Sequence, residues 1–260
     1  MGAATTTESP PDRQISHVEQ SIEVDGIHVR YLEGGQGKPG STILLLHAFQ
    51  GGADLWFPYT FPALAPEHHV IALDLPGFGN SGRLPAYTTN TYANFIQAFL
   101  DALGLDKVDL VGHSMGGQIA VAVAAASPER INRLVLIASA GLPRSGPQWL
   151  ANMVMMADRS AYHARLYPTV IRLALRTRNR RQGLVMLRED SIHSLLSDIT
   201  APTLVIWGAR DRVVPLEHAT LFARAIPQAR LSIMRGSGHM PFYQKPAQFN
   251  RLILGFLRNK

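Results

Sequence analysis

DLVGHSMGGQIAVAVAAASPERINRLVLIAS, Asp109 to Ser139, is the stretch whose reading decides the fold. With Lys107 and Val108 its first residues read as a buried strand. MGGQIAVAVAAAS reads as a helix, and INRLVLIAS as a second strand. Strand, helix and strand in that order are one unit of a parallel sheet covered on both faces. Ser114 stands at the first strand-to-helix turn, with Gly112, Gly116 and Gly117 around it. A sharp turn there lifts a small hydroxyl above the sheet edge. It also forces close backbone approaches that only small residues allow.

The same alternation runs outward in both directions. SIEVDGIHVRYLE reads as two strands joined at Asp25-Gly26, a hairpin signal. STILLLH is a buried strand, and Asp54 to Ala65 is expected to be a helix containing or ending near prolines. HVIALDLPGFGNSG is a strand entering a Gly/Pro loop. Thr91 to Leu103 has helical spacing at Phe95, Ile96, Phe99, Leu100 and Leu103. Further on come APTLVIWG (strand), Leu216 to Ala225 (helix), ARLSIMRG (strand) and a last helix from Pro246 to Leu257. The fold class expected is α/β, a mostly parallel sheet with helices on both faces.

Between Gly141 and Ser197 the alternation stops, and helix-like, Arg- and Met-rich sequence replaces it. The expected organisation is a disordered tail over 1–14, a core over 15–140 and 198–260, and a helical cap insertion over 141–197. The net charge of +6 is localised: nine arginines from Arg144 to Arg188 face only Asp158, Glu189 and Asp190, which accounts for the whole excess. A solvated helical face is the simplest reading. Recognition of an anionic substrate is the sharper one. Nucleic acid is not expected, because few aromatic residues are interleaved with the arginines and no nucleic-acid-binding motif matches.

With 46 % hydrophobic and 17 % charged residues the chain reads as an ordinary globular protein. It has no cysteine. Disulfides, zinc–thiolate sites, iron–sulfur clusters and thiol nucleophiles are therefore excluded. The N-terminal MGAATTTESPPDRQ has neither a basic start nor an apolar core, so it is read as a polar tail rather than a signal peptide. Thr6 stands where a myristoylation signal would have Ser or Thr, but a tail is the better reading. A cytoplasmic protein without stable membrane insertion is expected.

In a parallel sheet, functional residues sit in loops at the carboxyl ends of the strands. Three such loops carry Ser114, Asp211 (in IWGARDRVVP) and His239 (in RGSGHMPF). A serine hydroxyl needs a base to act as a nucleophile, and an imidazole needs a carboxylate to fix its tautomer.

Four motifs, LLLHAFQGG, DLPGFGNS, GHSMGG and the GARDRVVP…GSGHMPF pair, resemble the α/β-hydrolase superfamily in its small, cap-bearing bacterial branch. The resemblance runs from about Val18 to Leu257. It implies Ser114 as nucleophile, Asp211 as acid and His239 as base, with the backbone amides of Met115 and Phe49 as oxyanion donors. It implies no cofactor and no metal. One departure stands at His47-Ala48, where relatives have His-Gly. Alanine there either displaces the Phe49 donor or marks a loop with negative φ.

The implied reaction is cleavage of a carboxylic ester, lactone or thioester through an acyl-enzyme, on a small-molecule substrate. Carbon–carbon bond hydrolases share the cap placement but usually carry Asn before the serine and Trp after the histidine. Here those positions are His113 and Met240. Cofactor-free haloperoxidase or perhydrolase chemistry on the same triad is an alternative. A slow-turnover small-molecule receptor on the same fold is another. Bland readings attach to the remaining candidates. Asp74 and His47 are read as loop braces, His113 as structural, and His68-His69 as a solvated pair without a carboxylate nearby.

Overall fold

The computed structural model describes residues 17–49, 51–143 and 191–258. The expected tail over 1–14 and all of the expected cap except its two ends lie outside the described residues. Eight strands are β1 (Val18–Val24), β2 (Ile27–Gly34), β3 (Thr42–Leu46), β4 (His69–Leu73), β5 (Val108–His113), β6 (Ile131–Ile137), β7 (Thr203–Gly208) and β8 (Ala229–Met234). They form one sheet in the order β1-β2-β4-β3-β5-β6-β7-β8. Strand β2 is antiparallel to both its neighbours, and the other pairings are parallel. The β1–β2 hairpin turns on Asp25 and Gly26 at φ 50° and 73°. Two positive φ values make the tight turn whose twist matches the strands.

The described helices are α1 (Thr60–Leu64), α2 (Thr89–Ala102), α3 (Met115–Ala126), α4 (Leu216–Ala225), α5 (Pro241–Gln244) and α6 (Pro246–Arg258). The central strands are buried on both faces, and their side chains alternate between two cores. Leu44, Leu46, Leu110, Leu134, Leu136, Val205 and Trp207 pack on one side with Phe99 of α2, Ile119 of α3 and Phe222 of α4. Ile43, Leu45, Val111, Val135, Ile137, Leu204 and Ile206 pack on the other with Phe61 of α1, Phe242 of α5 and Phe249 of α6. Period-2 alternation between two apolar layers is why these strands read as unbroken apolar runs. Helix α3 is buried from Met115 to Ala124 without a polar face, as expected of a helix wedged between sheet and neighbouring helix.

The expected helix over Asp54–Ala65 is broken. A 3₁₀ turn spans Ala53–Leu55, and only Thr60–Leu64 is α-helical. The break falls at Tyr59, whose φ of −139° lies outside the helical region, next to Pro58, which has no N–H to offer a helical ladder. The two described ends of the 141–197 segment lie side by side, since Ile192 N–H donates to Gly141 O at 2.9 Å. A 3₁₀ helix, His193–Asp198, then leads to β7. Gly141 and Ile192 thus meet just past the carboxyl end of β6.

Candidate active site

Ser114 occupies the turn between β5 and α3 at φ 53°, ψ −112°, one of three non-glycine residues with positive φ among the described residues. Its side chain makes no capping bond to the helix, which removes the simplest structural reason for a serine there. The strained backbone is held from several sides. Ser114 N–H donates to Ile137 O at 2.9 Å, and Ser114 O accepts from Gly117, Gln118 and Ala140. A Cβ on Gly116 would collide with Leu46 O and lie 2.7 Å from His47 O. One on Gly117 would lie 2.6 Å from Ser139 Oγ. The small residues therefore let the turn seat directly against the end of β3 and the loop after β6.

Asp211 and His239 follow β7 and β8. The side chain of Asp211 is fully buried and that of His239 is 4 % exposed. His239 Nδ1–H donates to Asp211 Oδ2 at 2.8 Å. Asp211 Oδ1 accepts from the amides of Val213 and Val214 at 2.8 and 3.0 Å, so the carboxylate is fixed at both oxygens. The two loops are stitched together: Ala209 N–H donates to Met234 O and Arg210 N–H to Ser237 O. The turn after β6, Ala138 to Gly141, carries no carboxylate, leaving Asp211 as the acid that reaches His239.

Met115 is the first residue of α3, where an amide has no acceptor within the helix. Phe49 lies in the loop after β3, the strand beside β5, and its ring packs edge-on against Phe78. Ala48 is not among the residues with positive φ, so its methyl is unstrained. This favours the negative-φ alternative for the loop. Ala48 O is taken by Gly51 N–H at 2.9 Å and by His47 Nδ1–H at 2.7 Å. His47 Nε2 accepts from Leu75 N–H at 2.9 Å. A neutral ring is required for that acceptance, and burial holds the His47 pKa below its ordinary value.

Asp74 braces the same loop. Its side chain is fully buried. It accepts from Ala53 N–H at 2.7 Å, Asn80 N–H at 2.9 Å and Arg30 Nη1 at 3.3 Å. Arg30 also reaches Asp54 and Glu19. Sequence reasoning missed Arg30 and Asp54, whose partners stand 24 and 44 positions from Arg30 and are joined only by strand order. The reading of His68-His69 as a solvated pair is corrected. His68 is 4 % exposed. His69 Nε2 lies 2.8 Å from Glu33 Oε1, because antiparallel β2 carries Glu33 alongside β4. Among the described residues no His/Asp/Glu cluster could hold a metal ion, and no helix is long and apolar enough to cross a membrane.

The sheet order, the Ser114 turn and the two stitched loops define a class of protein. The chain belongs to the alpha/beta hydrolase fold family, whose family model matches residues 41–172 and 166–246. It is 33 % identical over 98 % of its length to 74 % of a Pseudomonas putida protein, the dihydrolipoyllysine-residue acetyltransferase component of acetoin cleaving system. It is 27 % identical over 97 % of both chains to a 2-hydroxy-6-oxononadienedioate/2-hydroxy-6-oxononatrienedioate hydrolase of Dechloromonas aromatica. Among solved structures, a bacterial membrane phospholipase A matches with 30 % identity and a TM-score of 0.81, over 94 % of this chain and 87 % of that one.

Proposed function

We propose that this hydrolase uses Ser114 as nucleophile, His239 as base and Asp211 as acid, and cleaves a carboxylic ester, lactone or thioester. His239 takes the proton as Ser114 Oγ attacks the carbonyl carbon. The tetrahedral oxyanion forms against the amides of Met115 and Phe49. Collapse expels the alcohol or thiol, which takes the proton from His239 and leaves an acyl-enzyme. Water, deprotonated by His239, then releases the acid and restores Ser114. The observations that carry the reading are the buried Asp211–His239 bond of 2.8 Å, a serine at positive φ that makes no capping bond to its own helix, and the 2.9 Å contact from the adjacent His113 Nε2 to His239 O. Gly141 and Ile192, which bracket the arginine-rich stretch of sequence, meet just past β6, the strand between β5 and β7, which supports a cap over the site.

A second reading is carbon–carbon bond hydrolysis, favoured by the named activity of the Dechloromonas relative. His113 and Met240 stand where such enzymes usually have Asn and Trp, so ester cleavage is preferred. The test is labelling by a fluorophosphonate probe, followed by parallel assays of chromogenic esters and a vinylogous diketone acid. Ser114→Ala should abolish labelling and lower kcat by ~10⁴–10⁶ while the protein stays folded. Full hydrolysis by that variant would sink the assignment. Turnover of the diketone alone would move it to the second reading.

A further inference from the structure

We propose that His113 is a positioning residue for the base: its imidazole, held as the Nε2–H tautomer, pins the main chain of the His239 loop. The inference rests on the triad reading above. His113 ends β5 and immediately precedes Ser114 in the chain. Its Nε2 lies 2.9 Å from His239 O. A carbonyl only accepts, so the ring must donate there, and the proton sits on Nε2. One residue of the nucleophile turn therefore grips the backbone of the base across 126 positions of sequence. Asp211 fixes the imidazole of His239, and His113 fixes the peptide from which it hangs.

The surroundings keep His113 in that form. Its side chain is enclosed by the rings of Phe242, edge-on at 5.0 Å, Trp56, edge-on at 6.5 Å, and His239 at 4.9 Å. Nδ1 is buried without a hydrogen-bond partner. A second proton there would place a charge among these rings. Burial, reinforced by the nearness of His239, accordingly holds its pKa far below the ordinary value. The Trp56 indole N–H is likewise buried without a hydrogen-bond partner. A neutral, single-tautomer ring is a fixed donor, which suits a group whose task is alignment.

The test compares His113→Phe, which keeps a ring but loses the donor, with His113→Gln, which keeps an N–H near the position of Nε2. Three quantities are read: kcat and KM on an ester the wild type turns over, the fluorophosphonate labelling rate, and the low-field proton resonance of His239 Nδ1–H. In His113→Phe, kcat and labelling should fall ~10–100-fold, the loss expected from misplacing a reacting group by about 1 Å. KM should stay within about twofold, and the resonance should broaden. His113→Gln should recover most of both. A folded His113→Phe protein with wild-type kcat and resonance overturns the proposal, as does a folded glutamine variant no better than the phenylalanine one. If the phenylalanine variant does not fold, the ¹⁵N shifts of His113 in the wild type decide, an Nδ1–H tautomer being contrary. Absence of labelling in the wild type would instead count against the triad, and the tautomer measurement would still test His113.

Discussion

At the scale of single residues, the glycines around Ser114 differ in kind from glycine elsewhere. Gly116 faces the backbone carbonyls of Leu46, the last residue of β3, and His47, the residue after it, which cannot swing aside as a side chain would. Gly255, in the interior of α6, faces nothing within 4 Å. Gly116→Ala should therefore destabilise by about 1–3 kcal/mol through overpacking and disturb the turn. Gly255→Ala should stabilise by about 0.5–1 kcal/mol through helix propensity alone. Urea denaturation of the two variants checks the contrast, and equal effects would mean that the close approach at Gly116 is not rigid. Ala48 belongs to neither case. With negative φ its methyl is unstrained, so Ala48→Gly should leave kcat within about twofold, because no donor waits to be realigned. A rise of tenfold in kcat would show that alanine holds the Phe49 amide away from its place.

At the scale of elements, the loop after β3 depends on a carboxylate that never meets solvent. Asp74 satisfies two backbone amides and one guanidinium. Asp74→Asn would turn an N–H₂ toward one of those donors and leave Arg30 short of a charge. Breaking such a pair costs about 3–5 kcal/mol, so the variant should unfold at clearly lower urea. A loss below about 1 kcal/mol would mean that Glu19 and Asp54 suffice for Arg30. This brace was only half legible in the sequence. Asp74 beside Pro76-Gly77 suggested a braced loop, but its partners come from β2 and the 3₁₀ turn, elements that sequence order does not put side by side. The strands were legible because a sheet covered on both faces writes unbroken apolar runs. The loops carrying Ser114, Asp211 and His239 could be read for the same reason, each standing just past such a run. The break at Tyr59, the one-turn helix α5 and the grip of His113 on His239 were not. Each depends on a single local bond or on a contact between distant parts of the chain.

At the scale of the whole molecule, the buried histidines set how the fold answers to pH. Burial is the main cause that holds both His47 and His113 below the ordinary value. In the unfolded chain each takes up a proton near pH 6.5, whereas in the folded protein it does so only at lower pH. Their contribution to stability is therefore complete above about pH 6.5 and is lost as pH falls toward the folded values. The slope is up to about 1.4 kcal/mol per pH unit for each ring. Asp109 acts in the opposite sense. Burial raises its pKa against the opposing pull of Ser41 and Arg133, so the folded protein binds that proton first and gains stability as pH falls. The net charge of +6 adds repulsion on the acid side. Asp109 and the net charge are common to the wild type and His113→Gln, so comparing the two proteins isolates one histidine. Urea unfolding free energies measured from pH 7.5 to 5.0 should fall less steeply in His113→Gln, by up to about 1.4 kcal/mol per unit below pH 6.5. Parallel curves would mean that His113 takes up its proton in the folded protein as readily as in the unfolded chain. A neutral ring gripping the carbonyl of His239 would then no longer describe the site on the acid side of neutrality.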